Sequence, residues 1–202
     1  MRKGGWWVVA AAMAAGCAGQ KQQLKAAPAV AKAEVAQAAV ATAVAPGSRR
    51  YVDTELGFEI SRPDGNWQLD ANDQMSSEGL VIPLVMRHSE TGAQVVLQVA
   101  PAVATPSQFA ERLTAGLRGQ PGFITTDPEP LPLTESSVGF DFAVADKVQG
   151  RVAVLEGGPG QVFLVMATWP SDAPKEVTGS VDRIFSSLKA VPRAAGIGGS
   201  GR

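Results

Sequence analysis

Apolar and polar residues alternate in short runs through the middle of the chain, and in two places the period lengthens from two to that of a helix. Over residues 57–61, Phe58 and Ile60 fall on one face and Glu59 and Ser61 on the other, as in a half-buried strand. Pro63-Asp64-Gly65 then turns the chain, because proline presets φ and glycine tolerates positive φ. Trp67-Gln68-Leu69 starts a second strand, and residues 70–78 read as polar loop. Residues 80–87 and 93–101 form two strands joined by the hairpin loop Ser89-Glu90-Thr91-Gly92. Strands are also predicted over 138–145, 150–156 and 161–169, the last two joined by Gly157-Gly158-Pro159-Gly160. Pro128, Pro130 and Pro132 break residues 123–133, which predicts a sheet edge or loop there.

The helical segments are well signed. Thr105, Pro106 and Gln108 make a capping-box start, Phe109, Leu113 and Leu117 recur at i, i+4 and i+8, and Gly119 and Pro121-Gly122 stop the helix. A second helix is predicted over 174–188, where Val177, Val181, Ile184, Phe185 and Leu188 form an apolar stripe. Between them, residues 161–169 are apolar on both faces: Val162, Leu164 and Met166 on one, Phe163, Val165 and Ala167 on the other. Such a strand sits centrally in a sheet covered on both sides. The fold class predicted is α+β, an antiparallel sheet flanked by helices.

The N-terminus has a different pattern. Met1, Arg2 and Lys3 are a cationic start, residues 6–15 are an uncharged apolar run, and Ala14-Ala15-Gly16-Cys17 brings small residues up to the only cysteine. This is the layout of a secretory signal peptide over residues 1–16. The run is shorter than the roughly 20 apolar residues a transmembrane helix needs. The stretch resembles the lipobox of bacterial lipoproteins, with Ala14 where leucine is usual. The resemblance implies that Cys17 is the lipidation site, acylated on its thiol and exposed as the new N-terminus, and that a membrane is the first partner. Ala18, not aspartate, follows it, so the enterobacterial retention rule gives the outer membrane, facing the periplasm, as the default location.

Residues 17–50 are an alanine-rich tether without a regular apolar stripe, residues 51–190 the folded domain, and residues 191–202 a Gly/Ala tail expected to be disordered. Loss of Arg2 and Lys3 leaves 16 basic against 19 acidic residues, a formal charge of −3. That balance excludes a nucleic-acid footprint and a polybasic lipid-binding surface. With its one cysteine used by lipid, the domain is held by its core, without an internal disulfide.

No residue set reads as catalytic, cofactor-binding or metal-ligating. Ser186-Ser187-Leu188-Lys189 matches Ser-x-x-Lys, but the companion Ser-Asp-Asn and Lys-Thr-Gly elements of that chemistry are absent. The Gly157–Gly160 run lacks the Gly-Lys-Ser/Thr and the following helix of a phosphate cradle. His88 is the only histidine, beside a hairpin loop, and is expected to be exposed. Asp70, Asn72 and Asp73 lack the glycine and distal glutamate of a calcium loop and are expected to make Asx-turns. Trp169 is expected at a strand end beneath the last helix, with a surface aromatic for a partner as the other reading.

Leu56-Gly57-Phe58-Glu59-Ile60-Ser61-Arg62-Pro63, followed by Trp67, resembles the opening of PsbP-like domains, with Asn66 interposed in the usual Gly-Trp pair. Val181-Asp182-Arg183-Ile184-Phe185-Ser186-Ser187-Leu188 resembles the last helix of that group. The group includes the extrinsic oxygen-evolving protein of photosystem II, Mog-type Ran-binding proteins and DcrB-type bacterial lipoproteins. The resemblance implies a PsbP-like α/β/α sandwich with binding or assembly roles and no shared catalytic residues. The expectation is a lipid-anchored envelope protein with a non-catalytic domain that binds an envelope protein. A periplasmic small-molecule or lipid-binding module is the alternative, and a hydrolase the third reading.

Overall fold

A computed structural model describes residues 49–76 and 80–193. Cys17, the signal, most of the tether and residues 194–202 lie outside the described residues. Among the described residues, eleven strands and two helices follow in the order β1 (Arg50–Asp53), β2 (Phe58–Ser61), β3 (Trp67–Met75), β4 (Val81–His88), β5 (Gln94–Pro101), α1 (Pro106–Arg118), β6 (Phe123–Thr125), β7 (Glu129–Pro130), β8 (Val138–Val144), β9 (Val148–Glu156), β10 (Gln161–Pro170), α2 (Lys175–Ser187) and β11 (Lys189–Ala190). The large sheet runs β3-β4-β5-β10-β9-β8-β6, with β7 also on β8, and all its pairings are antiparallel. A small sheet, β1-β2-β11, stands apart from it in hydrogen bonding.

β10 lies centrally between β5 and β9. Its two faces enter two separate cores, as the sequence predicts. Phe163, Val165 and Ala167 join Val177, Val181, Ile184 and Phe185 of α2 and Phe58 and Ile60 of β2 in one cluster. Val162, with Leu164 and Met166 packed against it, joins Phe140, Phe142 and Ala110 of α1 in the other. The sheet therefore carries α1 on one face, and α2 with the small sheet on the other. This is the sandwich arrangement that the PsbP-like resemblance implies. Phe58 meets Phe163 edge-on, with ring centroids 5.9 Å apart, and so fixes the small sheet to β10.

Local chemistry sets the helix ends. The Thr105 hydroxyl accepts from the Gln108 N–H at 3.3 Å, and the Gln108 side-chain oxygen accepts from the Thr105 N–H at 3.2 Å, completing the box. At the far end of α2 the Ser187 hydroxyl accepts from the Ser61 N–H at 2.9 Å and lies 2.7 Å from the Ile184 carbonyl. Leu188 is buried, and the chain passes directly into β11 against β2. Val191 extends this contact by donating to the Gly57 carbonyl at 2.9 Å.

Three expectations are corrected. Residues 70–75 are strand, not loop: β3 continues to Met75 along β4, with a register shift between Ala71 and Gln74. An edge strand pairs on one side only, so polar residues there do not prevent pairing. Asp70 lies in this strand rather than in a turn and pairs with Arg87 at 3.3 Å. His88 is 8% exposed rather than solvated. Its ring stands edge-on to the fully buried Trp67 at 5.3 Å, because the two residues are cross-strand partners on β3 and β4.

Phe185 fills a core position beneath α2 and is almost fully buried. Phe185→Ala is expected to cost about 3–5 kcal/mol through lost transfer energy and a residual cavity. Lys189→Ala, on exposed β11, is expected to stay within about 0.5 kcal/mol. Denaturant melts of the two variants check the packing. Parent-like unfolding of Phe185→Ala would contradict it.

Candidate functional site

The face of the large sheet that carries α2 is not covered to its edge. Beyond the helix lies an open groove of about 530 Å³, walled by Thr178 and Asp182 of α2 and, opposite, by Ile124 and Thr125 of β6. β8 and β9 form its floor through cross-strand pairs, with Asp141 opposite Arg151, Phe142 opposite Gly150 and Ala143 opposite Gln149. Ile124 stands opposite Ala143 on the edge strand and is 68% exposed.

The pairing follows from the β8–β9 turn. Ala145 and Asp146 both have positive φ, 48° and 55°, and the Lys147 N–H donates to the Val144 carbonyl at 3.0 Å. Two successive left-handed residues match the right-handed twist of a hairpin. The Ser171 hydroxyl donates to the Asp146 carbonyl at 2.8 Å, which braces the turn from the end of β10. Gly150 is required on the reverse of this floor, against the core that α1 covers. A Cβ there would run into the Phe142 ring lying across it and would come within 2.7 Å of the Ala167 carbonyl.

Arg151 is the electrostatic centre. Its Nε donates to Asp141 Oδ1 at 2.7 Å, and its Nη1 donates to Asp182 Oδ1 on α2. The hydrogen bond to Asp141 is the largest influence on the guanidinium and raises its pKa. Desolvation opposes this, and the charges of Asp141 and Asp182 add to the rise. Arginine is protonated at any working pH, so the network is a fixed +1 between two carboxylates. Behind it, the Trp169 indole N–H donates to Gln149 Oε1 at 3.2 Å. Trp169 is buried in the core that α2 covers and also lines the groove, so it sits at the strand end beneath the last helix.

A second hollow of about 650 Å³ lies between residues 102–108 and the Gly157–Gly160 hairpin, with Glu156 as its one charged lining residue. The Gly157–Gly160 run is a strand-to-strand turn, with the Gln161 N–H donating to the Gly158 carbonyl at 3.0 Å. The Ser-x-x-Lys match is dispersed by the fold. The Ser186 hydroxyl donates to the Asp182 carbonyl one turn back on α2, at 2.8 Å, while Lys189 has left the helix for β11. His88 Nδ1 lies 3.1 Å from the Thr91 hydroxyl, at the hairpin, and His88 is not among the residues that line the groove. Among the described residues no group of three or more His, Cys, Asp or Glu could hold a metal, and no helix is long and apolar enough to cross a membrane.

Sequence reasoning singled out Trp169 but missed Arg151, Asp141, Asp182 and Ile124. The hairpin signal could have found the first pair. Once the turn falls at Ala145-Asp146, Asp141 and Arg151 become cross-strand partners. Asp182 joins them only through the docking of α2.

No protein-family profile matches the sequence, and none of the curated proteins matches it. Solved structures similar to it include these two. One is a mutant of the protein Mog1, with a TM-score of 0.46 and 9% identity, covering 67% of this chain and 92% of that one. The other is LpqN, described as involved in cell envelope biogenesis of Mycobacterium tuberculosis, with a TM-score of 0.45 and 15% identity, covering 67% of this chain and 83% of that one. At these values the likeness carries no argument about function.

Arg151→Gln removes the cation and leaves Asp141 and Asp182 facing each other across the groove. The expected cost is about 1 kcal/mol or less, because the charges are partly solvated. At 1 M salt the Debye length falls to about 3 Å, so most of that difference should vanish. Urea melts at low and high salt check this. A deficit that is unchanged by salt would mean that packing of the arginine stem, not charge, is what was lost.

Proposed function

We propose that this chain is a lipid-anchored cell-envelope protein whose folded domain binds another envelope protein without catalysing a reaction. The observation that carries the anchoring is Ala14-Ala15-Gly16-Cys17 directly after a cationic start and an apolar run. Two acyl chains or more on Cys17 would hold it stably, since one chain alone binds only marginally and each buried methylene adds about 0.8 kcal/mol. The outer membrane, periplasmic side, is the proposed location. The domain would then stand off the bilayer on the tether of residues 17–50 and present the groove beside α2 to its partner.

Two features of the groove support binding over chemistry. Its carboxylates are engaged by Arg151 and half exposed, not desolvated and poised as an acid–base pair. It is open and rimmed by charge, whereas a small-molecule or lipid site is an enclosed, mainly apolar cavity.

Cys17→Ala is the test of anchoring. Cells fed a fatty-acid analogue should label the parent chain and leave the variant unlabelled, with its signal uncleaved. A label retained by the variant would remove the lipoprotein reading. Photo-crosslinking in intact cells tests the binding. A crosslinking residue at Thr178 should give an adduct with an envelope protein, and one at the exposed Ser107 of α1 should not.

A further inference from the structure

We propose that the groove beside α2 selects an extended segment of its partner in which a lysine or arginine lies two positions from an aliphatic residue. This rests on the reading of the groove as a protein-binding surface and names the chemistry it recognises.

The charge count of the groove is the first argument. One guanidinium lies between two carboxylates, so the network is net negative by one. The order of exposure gives the same sign. The Asp141 and Asp182 side chains are 52% and 58% exposed, against 34% for Arg151. An approaching anion meets the carboxylates before it reaches the guanidinium. An approaching cation meets acceptors with capacity left over. A carboxylate offers about four acceptor positions. Among the described residues Asp182 uses one of them, on Arg151, and Asp141 uses its two oxygens on the same group.

The groove also has an apolar side, independent of its charge. Ile124 is one of three large hydrophobic residues that stand mostly exposed among the described residues, and it is the one in the groove. It is paired with Ala143 on β8, two residues from Asp141 on the same face, and Asp182 stands on the opposite wall. An aliphatic side chain of the partner would cover Ile124 and Ala143 while a cationic side chain on the same side of the segment reached Asp141 and Asp182. Successive side chains of an extended strand point to opposite sides, so the two groups would come from residues i and i+2. The outer edge of β6 is partly closed to strand addition, because Arg118 of α1 donates to the Thr125 hydroxyl at 2.8 Å and pairs with Asp127. The groove, not the sheet edge, is the docking surface.

The probe is a pair of capped glycine-based pentapeptides, one with lysine and valine two positions apart and one with glutamate and valine two positions apart. They are titrated into the full chain in a nonionic detergent, with tryptophan indoles labelled with nitrogen-15. Trp169 reports on the groove, and Trp67, buried in the core away from it, reports on the fold. The lysine peptide should move the Trp169 signal saturably and leave Trp67 in place, with weaker binding at high salt. Asp182→Asn and Asp141→Asn should each weaken that binding by about threefold to tenfold. If either variant also displaces Trp67, Ile124→Ser supplies the test, and it should weaken binding without touching the charges.

An unmoved Trp169 signal would overturn the proposal. So would equal movement by the glutamate peptide, or binding that all the groove variants retain. None of these results would touch the anchoring. Crosslinking from Thr178 alongside failed peptide binding would leave the protein-binding reading standing and remove only the cationic selectivity.

Discussion

The double burial of β10 organises the molecule. A strand with Val162, Leu164 and Met166 on one face and Phe163, Val165 and Ala167 on the other cannot leave either face in water. Fully burying a side chain of this size contributes about 1.5–3 kcal/mol. One helix covers one face, and the second face needs its own cover. The chain meets this by placing α1 between β5 and β6 and α2 after β10, so that each packs on the side the other leaves open. The small sheet completes the second cover, with Phe58 and Ile60 reaching the same core as α2.

The groove is the geometric remainder of that solution. Seven strands at about 4.8 Å spacing make a sheet some 29 Å wide between its outer strands. A helix is about 10 Å across. Neither α2 nor the small sheet reaches the β6 edge, and the residues of β8 and β9 that would lie under a longer cover are Asp141, Gln149 and Arg151. A charged network can sit there because water still reaches it. The ion pair with Asp182 then ties the flank of α2 to the floor. One arginine therefore serves both the seating of the helix and the electrostatic character of the groove.

The groove draws on five elements, β6, β8, β9, β10 and α2, whereas the proposed lipid site would need only a local stretch of sequence.

By itself the sequence determined the elements whose signals are local. The capping box at Thr105, the stripe from Val177 to Leu188, the two-faced strand and the Gly157–Gly160 turn depend on neighbours a few residues away, and each took the predicted form. The antiparallel sheet and the helical cover followed from them. Only the tertiary structure decided the rest. β1 and β11 are too short to show a pattern and exist because β2 lies between them. Residues 70–75 become strand because β4 supplies a partner along an edge where Asp70 and Gln74 remain in solvent. His88 is buried because register sets it opposite Trp67. The Asp141–Arg151–Asp182 network combines a hairpin register with the docking of a helix some thirty residues later, and a contact of that separation leaves no periodicity in the sequence to be read.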